Sequence, residues 1–223
     1  MKRIKYGLIG LGAVGTFCHL ESIIKNKRCE LVAVCDLKKE KLNHIKNKYG
    51  IKGYTSYQEM IKENKFDAIV LSSSLVTLYN ISNYIIKKKI NLLSEKPFCT
   101  SFKQSKNLCN LSKKYKTKHV VGFMKIYDPA LTKLKKIIQN KKNISSIYYS
   151  SFGGKAFAQD FKSKKNKYSN TSGVNNKILK KVQFLKFLNT HSHAINLLRY
   201  LFGELKLEFN YLNLDGEGIV GFK

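Results

Sequence analysis

The sequence predicts an α/β fold in which a doubly wound parallel sheet is followed by a partial α+β domain with a mostly antiparallel sheet. Two observations support this prediction. Short buried strands alternate with helix-compatible segments from the N-terminus, and this alternation stops near Asp128. Alternating strands and helices are typical of a parallel sheet with right-handed crossovers. We therefore predict two domains, residues 1–124 and residues 125–223.

The first predicted strand leads into a glycine motif. Residues 4–15 read IKYGLIGLGAVG, in which Gly10, Gly12 and Gly15 have the spacing G-x-G-x-x-G. The first glycine permits a tight turn, the second lets the backbone approach a pyrophosphate, and the third allows close packing of the following helix. The free N–H groups of that helix, predicted at residues 13–26, then face the phosphates.

An acidic residue at the end of the second predicted strand supports a dinucleotide site. Residues 31–35, LVAVC, predict a buried strand that is followed by Asp36. Asp36 lies about 20 positions after Gly15, the distance expected of a carboxylate that binds the adenosine ribose. A plain βαβ unit with a glycine turn is the alternative, because the glycine spacing alone is weak evidence.

Strands and helices alternate through the rest of the first domain. Gly50 suits the left-handed residue that ends a helix, and Ser56 with Glu59 forms a capping box. Thr100 or Ser101 caps a helix that reaches residue 116. The other predicted segments are helices at residues 38–48 and 75–88 and strands at residues 66–71, 90–93 and 120–123.

Polar residues follow two of these strands. In a doubly wound sheet, ligands bind at the carboxyl ends of the strands. Ser72 and Ser73 are therefore candidates to contact a cofactor, while Ser74 fits equally well as the N-cap of the next helix. The neighbouring strand delivers the sequence SEKP, residues 94–97, to the same edge.

The second domain begins with a helix signal, because Asp128 and Pro129 suit the N-cap and first helical positions. His191 and His193 lie on a later predicted helix that ends at Gly203. They are two residues apart, so they point in different directions and do not form a metal site together. The predicted segments are helices at residues 129–141 and 184–202, strands at residues 144–152, 205–214 and 219–222, and a long polar loop at residues 153–174.

The composition is strongly basic, with 42 Lys and Arg against 14 Asp and Glu and a net charge of +28. Such a charge attracts polyanions. The lysines are nevertheless spread along the chain together with many Asn and Ile residues, and no nucleic-acid-binding motif accompanies them. We therefore attribute the charge to a general drift of the composition toward Lys, Asn and Ile rather than to a nucleic-acid partner. We expect the positive electrostatic potential of the protein to favour the binding of small anions.

The cysteine pattern indicates a reducing compartment. Five cysteines, an odd number without a C-x-x-C pair, predict reduced and mostly buried thiols in a cytosolic protein. No apolar run reaches the ~18 residues of a membrane span. The apolar stretch near the N-terminus is the glycine motif itself, without a cleavage site after it. We therefore expect a cytoplasmic protein with neither a membrane segment nor a metal site.

Four motifs together point to a known family. They are GLIGLGAVG at residues 7–15, VCD ending at Asp36, SEKP at residues 94–97, and THSHAINLLRYLFGE at residues 190–204. With them the chain resembles the Gfo/Idh/MocA family of NAD(P)-dependent oxidoreductases over nearly its whole length. The resemblance implies a Rossmann domain followed by an α/β domain whose sheet forms the substrate pocket and commonly the oligomer interface. Because family members normally continue with further strands, we expect the second domain to be incomplete.

The resemblance implies hydride transfer between nicotinamide and a hydroxyl or keto group of a sugar, nucleotide sugar or polyol. It assigns Lys96 to the nicotinamide ribose and the substrate hydroxyl, and His193 to the catalytic histidine. Asn189 stands where the family usually has Asp, and we expect it to orient the substrate. A lysine of lowered pKa or a neutral histidine can accept the hydroxyl proton. The expected cofactor-binding residues are Gly10, Gly12, Ala13, Val14, Gly15, Asp36, Ser72, Ser73, Glu95 and Lys96.

The charges around Asp36 bear on the choice of cofactor. Its carboxylate can accept hydrogen bonds from the ribose hydroxyls and repels a 2′-phosphate, which favours NAD. Lys38 and Lys39 lie close by in the sequence and offset part of that repulsion, so the sequence is also compatible with NADP.

Three positions depart from the family pattern and support an alternative. Asn189 and Asn196 replace acidic residues, and Leu78 replaces a histidine. The alternative is a catalytically inactive or truncated dinucleotide-binding protein. We expect His191 to be structural or to line the pocket.

Overall fold

The computed structural model describes residues 2–140, 176–212 and 218–222. The chain divides into two compact units, Met1–Gly122 and Phe123–Lys223. The predicted strand at residues 144–152 and the predicted loop at residues 153–174 lie outside the described residues.

The first unit is a parallel sheet with connecting helices, as predicted. Its six strands are β1 (Ile4–Ile9), β2 (Cys29–Cys35), β3 (Lys52–Tyr54), β4 (Ala68–Leu71), β5 (Asn91–Ser94) and β6 (His119–Val121). Its α-helices are α1 (Glu21–Lys25), α2 (Lys39–Tyr49), α3 (Tyr57–Glu63), α4 (Leu75–Lys87) and α5 (Phe102–Tyr115). The strand order is β3-β2-β1-β4-β5-β6, and every neighbouring pair is parallel. The order reverses between β1 and β4, which is the arrangement of a doubly wound sheet.

Apolar side chains are buried on both faces of this sheet. Leu8 and Ile9 are consecutive in β1 and are 0% and 4% exposed. Because successive side chains of a strand point to opposite faces, each belongs to a different core. Ile9 packs in the core with α3, α4 and α5, and Leu8 packs in the core with α1 and α2. The continuous apolar runs predicted for these strands follow from this burial on both sides.

Local sequence signals end and begin several helices as predicted. Gly50 follows α2 in the left-handed conformation, with φ of 68°. The Ser56 hydroxyl accepts a hydrogen bond from the Glu59 N–H at the start of α3. Of the two predicted caps of α5, Ser101 is the one that accepts a backbone hydrogen bond, from Gln104. These caps satisfy N–H groups that have no partner inside their own helix.

Residues 13–25 are helical, which confirms the helix predicted at residues 13–26, but this helix is not α-helical throughout. A π-helix, Gly15–Leu20, precedes α1. A π-helix accommodates more residues per turn than an α-helix. In this wider turn Leu20 is buried in the core, while its neighbour His19 contacts the end of β5.

The second unit begins with a short 3₁₀ turn, Met124–Tyr127, and a helix, α6 (Pro129–Gln139). Asp128 caps α6 as predicted, since its Oδ1 accepts a hydrogen bond from Ala130 N at 2.8 Å. A long helix covers Asn176–Phe202, so the predicted start at residue 184 is wrong. Apolar residues at helical spacing in residues 178–182 continue the helix toward its N-terminus.

Two strands follow the long helix, which is terminated after Phe202 by Gly203 with φ of 92°. They are β7 (Leu207–Leu212) and β8 (Gly218–Phe222), and they pair antiparallel. This agrees with the predicted antiparallel character of the second part. The assignment of residues 125–223 as a substrate and oligomerisation domain stays a prediction.

The cysteines are free thiols, but the prediction that they are mostly buried is wrong. Only Cys35 is buried, whereas Cys18 and Cys109 are exposed and Cys29 and Cys99 are partly exposed. Cys35 ends β2 and faces a core, whereas the two exposed thiols lie on the π-helix and on α5. A cysteine on an amphipathic helix is buried only when its position falls on the apolar face.

Candidate cofactor site and active-site residues

The strands of the first unit end in register, which aligns the predicted site residues along one edge. Ile9 pairs with Cys35 on one side and with Leu71 on the other, and Leu71 pairs with Ser94. This edge includes the point between β1 and β4 where the strand order reverses, and ligands of doubly wound sheets bind there. The residues that directly follow these strand ends are Gly10, Asp36, Ser72 and Glu95.

Two of the three motif glycines are required by close backbone contacts. Gly10 has φ of 95°, and a Cβ there would clash with the carbonyl of Ser72. A Cβ at Gly15 would clash with the carbonyl oxygen of Gly10. The turn between β1 and the helix is therefore as tight as the motif predicts.

Gly12, the second glycine of the motif, borders open space. A Cβ at Gly12 would meet no atom within 4 Å. Ala13 and Val14 follow it, are exposed, and begin the helical segment. A pyrophosphate needs such a place, where backbone N–H groups at a helix start are accessible and no side chain intervenes.

Asp36 is held beside this loop by the backbone. Its Oδ2 accepts a hydrogen bond from Leu11 N at 2.7 Å, and its Oδ1 accepts one from Lys38 N at 2.9 Å. The side chain is 13% exposed. A carboxylate has about four lone-pair sites, so each oxygen keeps capacity for another donor. Open space over Gly12 and acceptor capacity on Asp36 fit a dinucleotide with its ribose hydroxyls at Asp36.

The hydroxyls after β4 form a small network. Thr77 Oγ1 donates to Ser73 Oγ at 3.1 Å and lies 3.0 Å from Ser74 Oγ. Ser74 stands at the N-cap position of α4, but its side chain caps no backbone N–H. Ser72 and Ser73 are partly buried at the carboxyl edge, beside the glycine loop.

Glu95 is paired with a histidine from the π-helix. Its Oε1 lies 2.7 Å from His19 Nε2, and the two side chains are 18% and 19% exposed. Its Oε2 accepts a hydrogen bond from Lys96 N at 3.2 Å. Burial raises the pKa of Glu95, but the contacts with His19 and Lys96 outweigh it and hold the pKa below its usual value. Glu95 is therefore a fixed anion in the turn that carries Lys96.

A second histidine, His119, is hydrogen-bonded to Ser94, the residue before Glu95. Ser94 is fully buried, and its Oγ lies 2.9 Å from His119 Nε2. The His119 ring also packs edge-on against Phe98, with ring centroids 5.4 Å apart. Burial lowers the pKa of His119 to about 4. His119 is therefore neutral near pH 7 and connects β6 to the end of β5.

Lys96 lies in the turn that these two histidines support. Burial lowers the pKa of its ammonium, and the neighbouring Glu95 carboxylate offsets part of that shift. A lysine of lowered pKa is neutral in a larger fraction of molecules and can accept a proton. This is the property that the sequence predicts for Lys96.

His193 and Asn189 belong to the second unit, on the long helix. The His193 ring packs edge-on against Phe123, with centroids 6.2 Å apart. His191 is partly buried on the same helix. The Asn189 side chain lies outside the part of the chain that the structure describes. The roles of these residues stay predictions.

The structure shows three residues at the candidate site that the sequence analysis missed: His19, His119 and Lys41. Lys41 Nζ donates to Leu11 O at 2.6 Å and lies 3.7 Å from Asp36 Oδ2. Its position in the first turn of α2, close in the sequence to Asp36, was the available signal. His19 is separated from its partner by 76 positions, and no local pattern predicts such a pair.

Two other kinds of site were sought in the described residues. They contain no cluster of three His, Cys, Asp or Glu side chains able to hold a metal ion. None of their helices is both long and apolar enough to cross a membrane.

A βαβ unit with this glycine turn and an acid after its second strand defines a dinucleotide-binding protein of the Rossmann class. The model of the Gfo/Idh/MocA family, an oxidoreductase family with an NAD-binding Rossmann fold, matches residues 4–123. The chain belongs to this family, and its first unit is the family's NAD-binding domain.

Curated relatives match about three fifths of the chain. Myo-inositol 2-dehydrogenase of Thermotoga maritima is 28% identical over 138 residues, which are 61% of this chain and 41% of that protein. The rhizopine catabolism protein MocA of Rhizobium meliloti is 25% identical over 136 residues, 60% of this chain and 42% of that protein. The chain thus aligns with about two fifths of these relatives' length.

Solved structures share the fold over most of the chain. The dehydrogenase WlbA of Chromobacterium violaceum, in complex with NADH and UDP-GlcNAcA, has a TM-score of 0.74 at 20% identity. The match covers 96% of this chain and 59% of WlbA. Myo-inositol 2-dehydrogenase of Lactobacillus plantarum has a TM-score of 0.72 at 24% identity, covering 91% of this chain and 57% of that one.

Proposed function

We propose that the protein is an NAD(H)-dependent oxidoreductase that transfers a hydride between nicotinamide and a hydroxyl or keto group of a sugar, nucleotide sugar or polyol. The observation that carries the proposal is the alignment of Gly10, Asp36 and the Lys96 turn at one edge of the sheet. The relatives named as inositol dehydrogenases and the WlbA complex with a nucleotide sugar support the substrate class.

The glycine loop and Asp36 hold the dinucleotide in this proposal. Backbone N–H groups at Gly12, Ala13 and Val14 bind the pyrophosphate, and Gly15 keeps the loop close to the strand. The Asp36 carboxylate accepts hydrogen bonds from the adenosine ribose hydroxyls. Ser72, Ser73 and Glu95 contact the cofactor further along the edge. The bound nicotinamide accepts or supplies the hydride.

Lys96 handles the proton of the substrate hydroxyl. When the carbinol carbon loses a hydride, its hydroxyl proton passes to the neutral amine of Lys96 and a carbonyl forms. In the reverse direction the ammonium returns the proton. His193 assists this transfer and Asn189 orients the substrate, as the family resemblance implies.

Turnover by a Lys96 variant tests this mechanism. We expect the unmodified chain to reduce NAD with at least one member of a panel of inositols, sugars and nucleotide sugars, followed by NADH absorbance. Lys96→Met should abolish turnover but still bind NADH, more weakly because Lys96 is also expected to contact the nicotinamide ribose. Lys103→Met, at an exposed position of α5, should retain both turnover and binding. The oxidation rate should rise with pH as Lys96 loses its proton. The midpoint of this rise should lie below the pKa of an ordinary lysine, because burial lowers the pKa of Lys96. Equal turnover by Lys96→Met would refute the role of Lys96.

A second candidate function is dinucleotide binding without dehydrogenase activity. By the family resemblance, Asn189 and Asn196 stand at positions that are usually acidic. Leu78 replaces a histidine and is only 1% exposed within the core, so its position provides no polar group to the site. Saturable NADH binding without turnover on the whole panel would favour this candidate.

We further propose that the protein forms a homo-oligomer through its C-terminal strands. Leu207 and Phe209 of β7 are 52% and 57% exposed, and exposed apolar strand residues favour association. Light scattering after size exclusion should give a mass above the 25.6 kDa of one chain. A monomer at the concentrations used for NADH binding would contradict it.

A further inference from the structure

The Lys41 ammonium lies between the Asp36 carboxylate and the glycine loop. Its Nζ donates a 2.6 Å hydrogen bond to Leu11 O, while Leu11 N donates a 2.7 Å hydrogen bond to Asp36 Oδ2. Both backbone polar groups of Leu11, its N–H and its carbonyl oxygen, are thus hydrogen-bonded to side chains. Leu11 stands between Gly10 and Gly12 and is itself 2% exposed. The loop proposed to bind the phosphates is therefore held by Lys41 of α2 as well as by Asp36, which follows β2.

The same ammonium changes the charge at Asp36. Lys41 Nζ lies 3.7 Å from Asp36 Oδ2, and the two side chains are 38% and 13% exposed. Lys38 and Lys39, which the sequence suggested for this role, form no ion pair with Asp36 among the described residues; only the Lys38 backbone N–H contacts it. A cation next to a shielded carboxylate offsets the repulsion that the carboxylate exerts on another anion.

We propose that Lys41 determines the cofactor specificity of this site by neutralising Asp36, so that the site binds NADP(H) as well as NAD(H). This inference rests on the proposed dinucleotide site. A 2′-phosphate at the adenosine ribose would meet an Asp36–Lys41 pair instead of an isolated carboxylate. The bond to Leu11 O keeps the ammonium at this place whichever cofactor binds.

The ratio of the NADPH and NADH dissociation constants separates the charge of Lys41 from its contact with the loop. Loss of the Leu11 contact affects the two cofactors alike and cancels in the ratio, whereas loss of charge affects only the cofactor with the 2′-phosphate. We expect Lys41→Met to raise the ratio about tenfold, the order of one charge interaction at a partly exposed site. Lys41→Arg keeps the charge and should leave the ratio within about twofold.

Lys46→Met is the matched control, because Lys46 is exposed on the same helix and carries the same charge. Both constants are measured by titration of the reduced cofactors' fluorescence, with circular dichroism to compare the folds. An unchanged ratio in Lys41→Met, or an equal rise in Lys46→Met, would overturn the inference. NADH binding by the unmodified chain with NADPH excluded would overturn it while leaving the proposed function intact. Failure to bind either cofactor would overturn both.

Discussion

Replacing His119 by glutamine should remove much of the acid sensitivity of the first unit. His119 has a pKa of about 4 in the folded chain and about 6.5 in the unfolded chain. Between these values the unfolded chain binds more protons, so the stability falls as the pH falls through this window. The loss from about pH 7 to about pH 5 amounts to about 2 kcal/mol for this one group. Glutamine does not titrate, and it keeps a polar group for Ser94.

Urea unfolding at the two pH values measures this effect. The chain has no Trp, so far-UV circular dichroism or tyrosine fluorescence follows the transition. The stability of His119→Gln should change between the two pH values by about 2 kcal/mol less than that of the unmodified chain. His44→Gln, at an exposed position of α2, should show the unmodified pH dependence. Identical pH dependence in His119→Gln and the unmodified chain would refute the assignment of a buried, neutral His119.

Two further predictions concern the glycine loop and the Glu95 turn. Gly10→Ala should lower the free energy of unfolding by at least about 2 kcal/mol because of its positive φ and the clash with Ser72. Gly12→Ala should leave the melting temperature unchanged, since the added Cβ meets only open space. It should weaken NADH binding, because that space is where the pyrophosphate is proposed to bind. Equal melting temperatures for Gly10→Ala and Gly12→Ala would contradict this prediction. His19→Leu leaves the Glu95 carboxylate without its 2.7 Å partner and should cost roughly 2 kcal/mol, whereas His19→Gln should cost less. A His19→Leu chain as stable as the unmodified one would show that this pair does not support the turn.

Local signals account for the parts of the structure that the sequence predicted. A positive φ requires glycine at Gly10 and favours it at Gly50, and the caps at Ser56 and Asp128 act on N–H groups within the next few residues. Each feature depends on neighbours in the chain, so spacing alone reveals it. The position of Asp36 is similarly determined by the length of one βαβ unit.

The features that the sequence analysis missed depend on the tertiary fold. His19 reaches Glu95 across 76 positions, and Lys41 reaches Leu11 across 30. These contacts exist only because strands in register bring their ends together at one edge. The burial of cysteines was predicted wrongly for a related reason: residue type gives an average, whereas the face of the helix decides the exposure of Cys18 and Cys109.

Titration of NADH fluorescence with the unmodified chain, Asp36→Ala and Asp67→Ala tests the central claim most directly. Asp67 is the matched control, because its carboxylate also accepts a backbone hydrogen bond, from Lys5 N at 2.8 Å, but precedes β4 at the opposite edge of the sheet. We expect saturable binding that Asp36→Ala weakens about tenfold or more, as expected when hydrogen bonds to a charged group are lost, and that Asp67→Ala leaves unchanged. Equal affinities in all three proteins, or no binding by the unmodified chain, would contradict the assignment of this edge as the dinucleotide site.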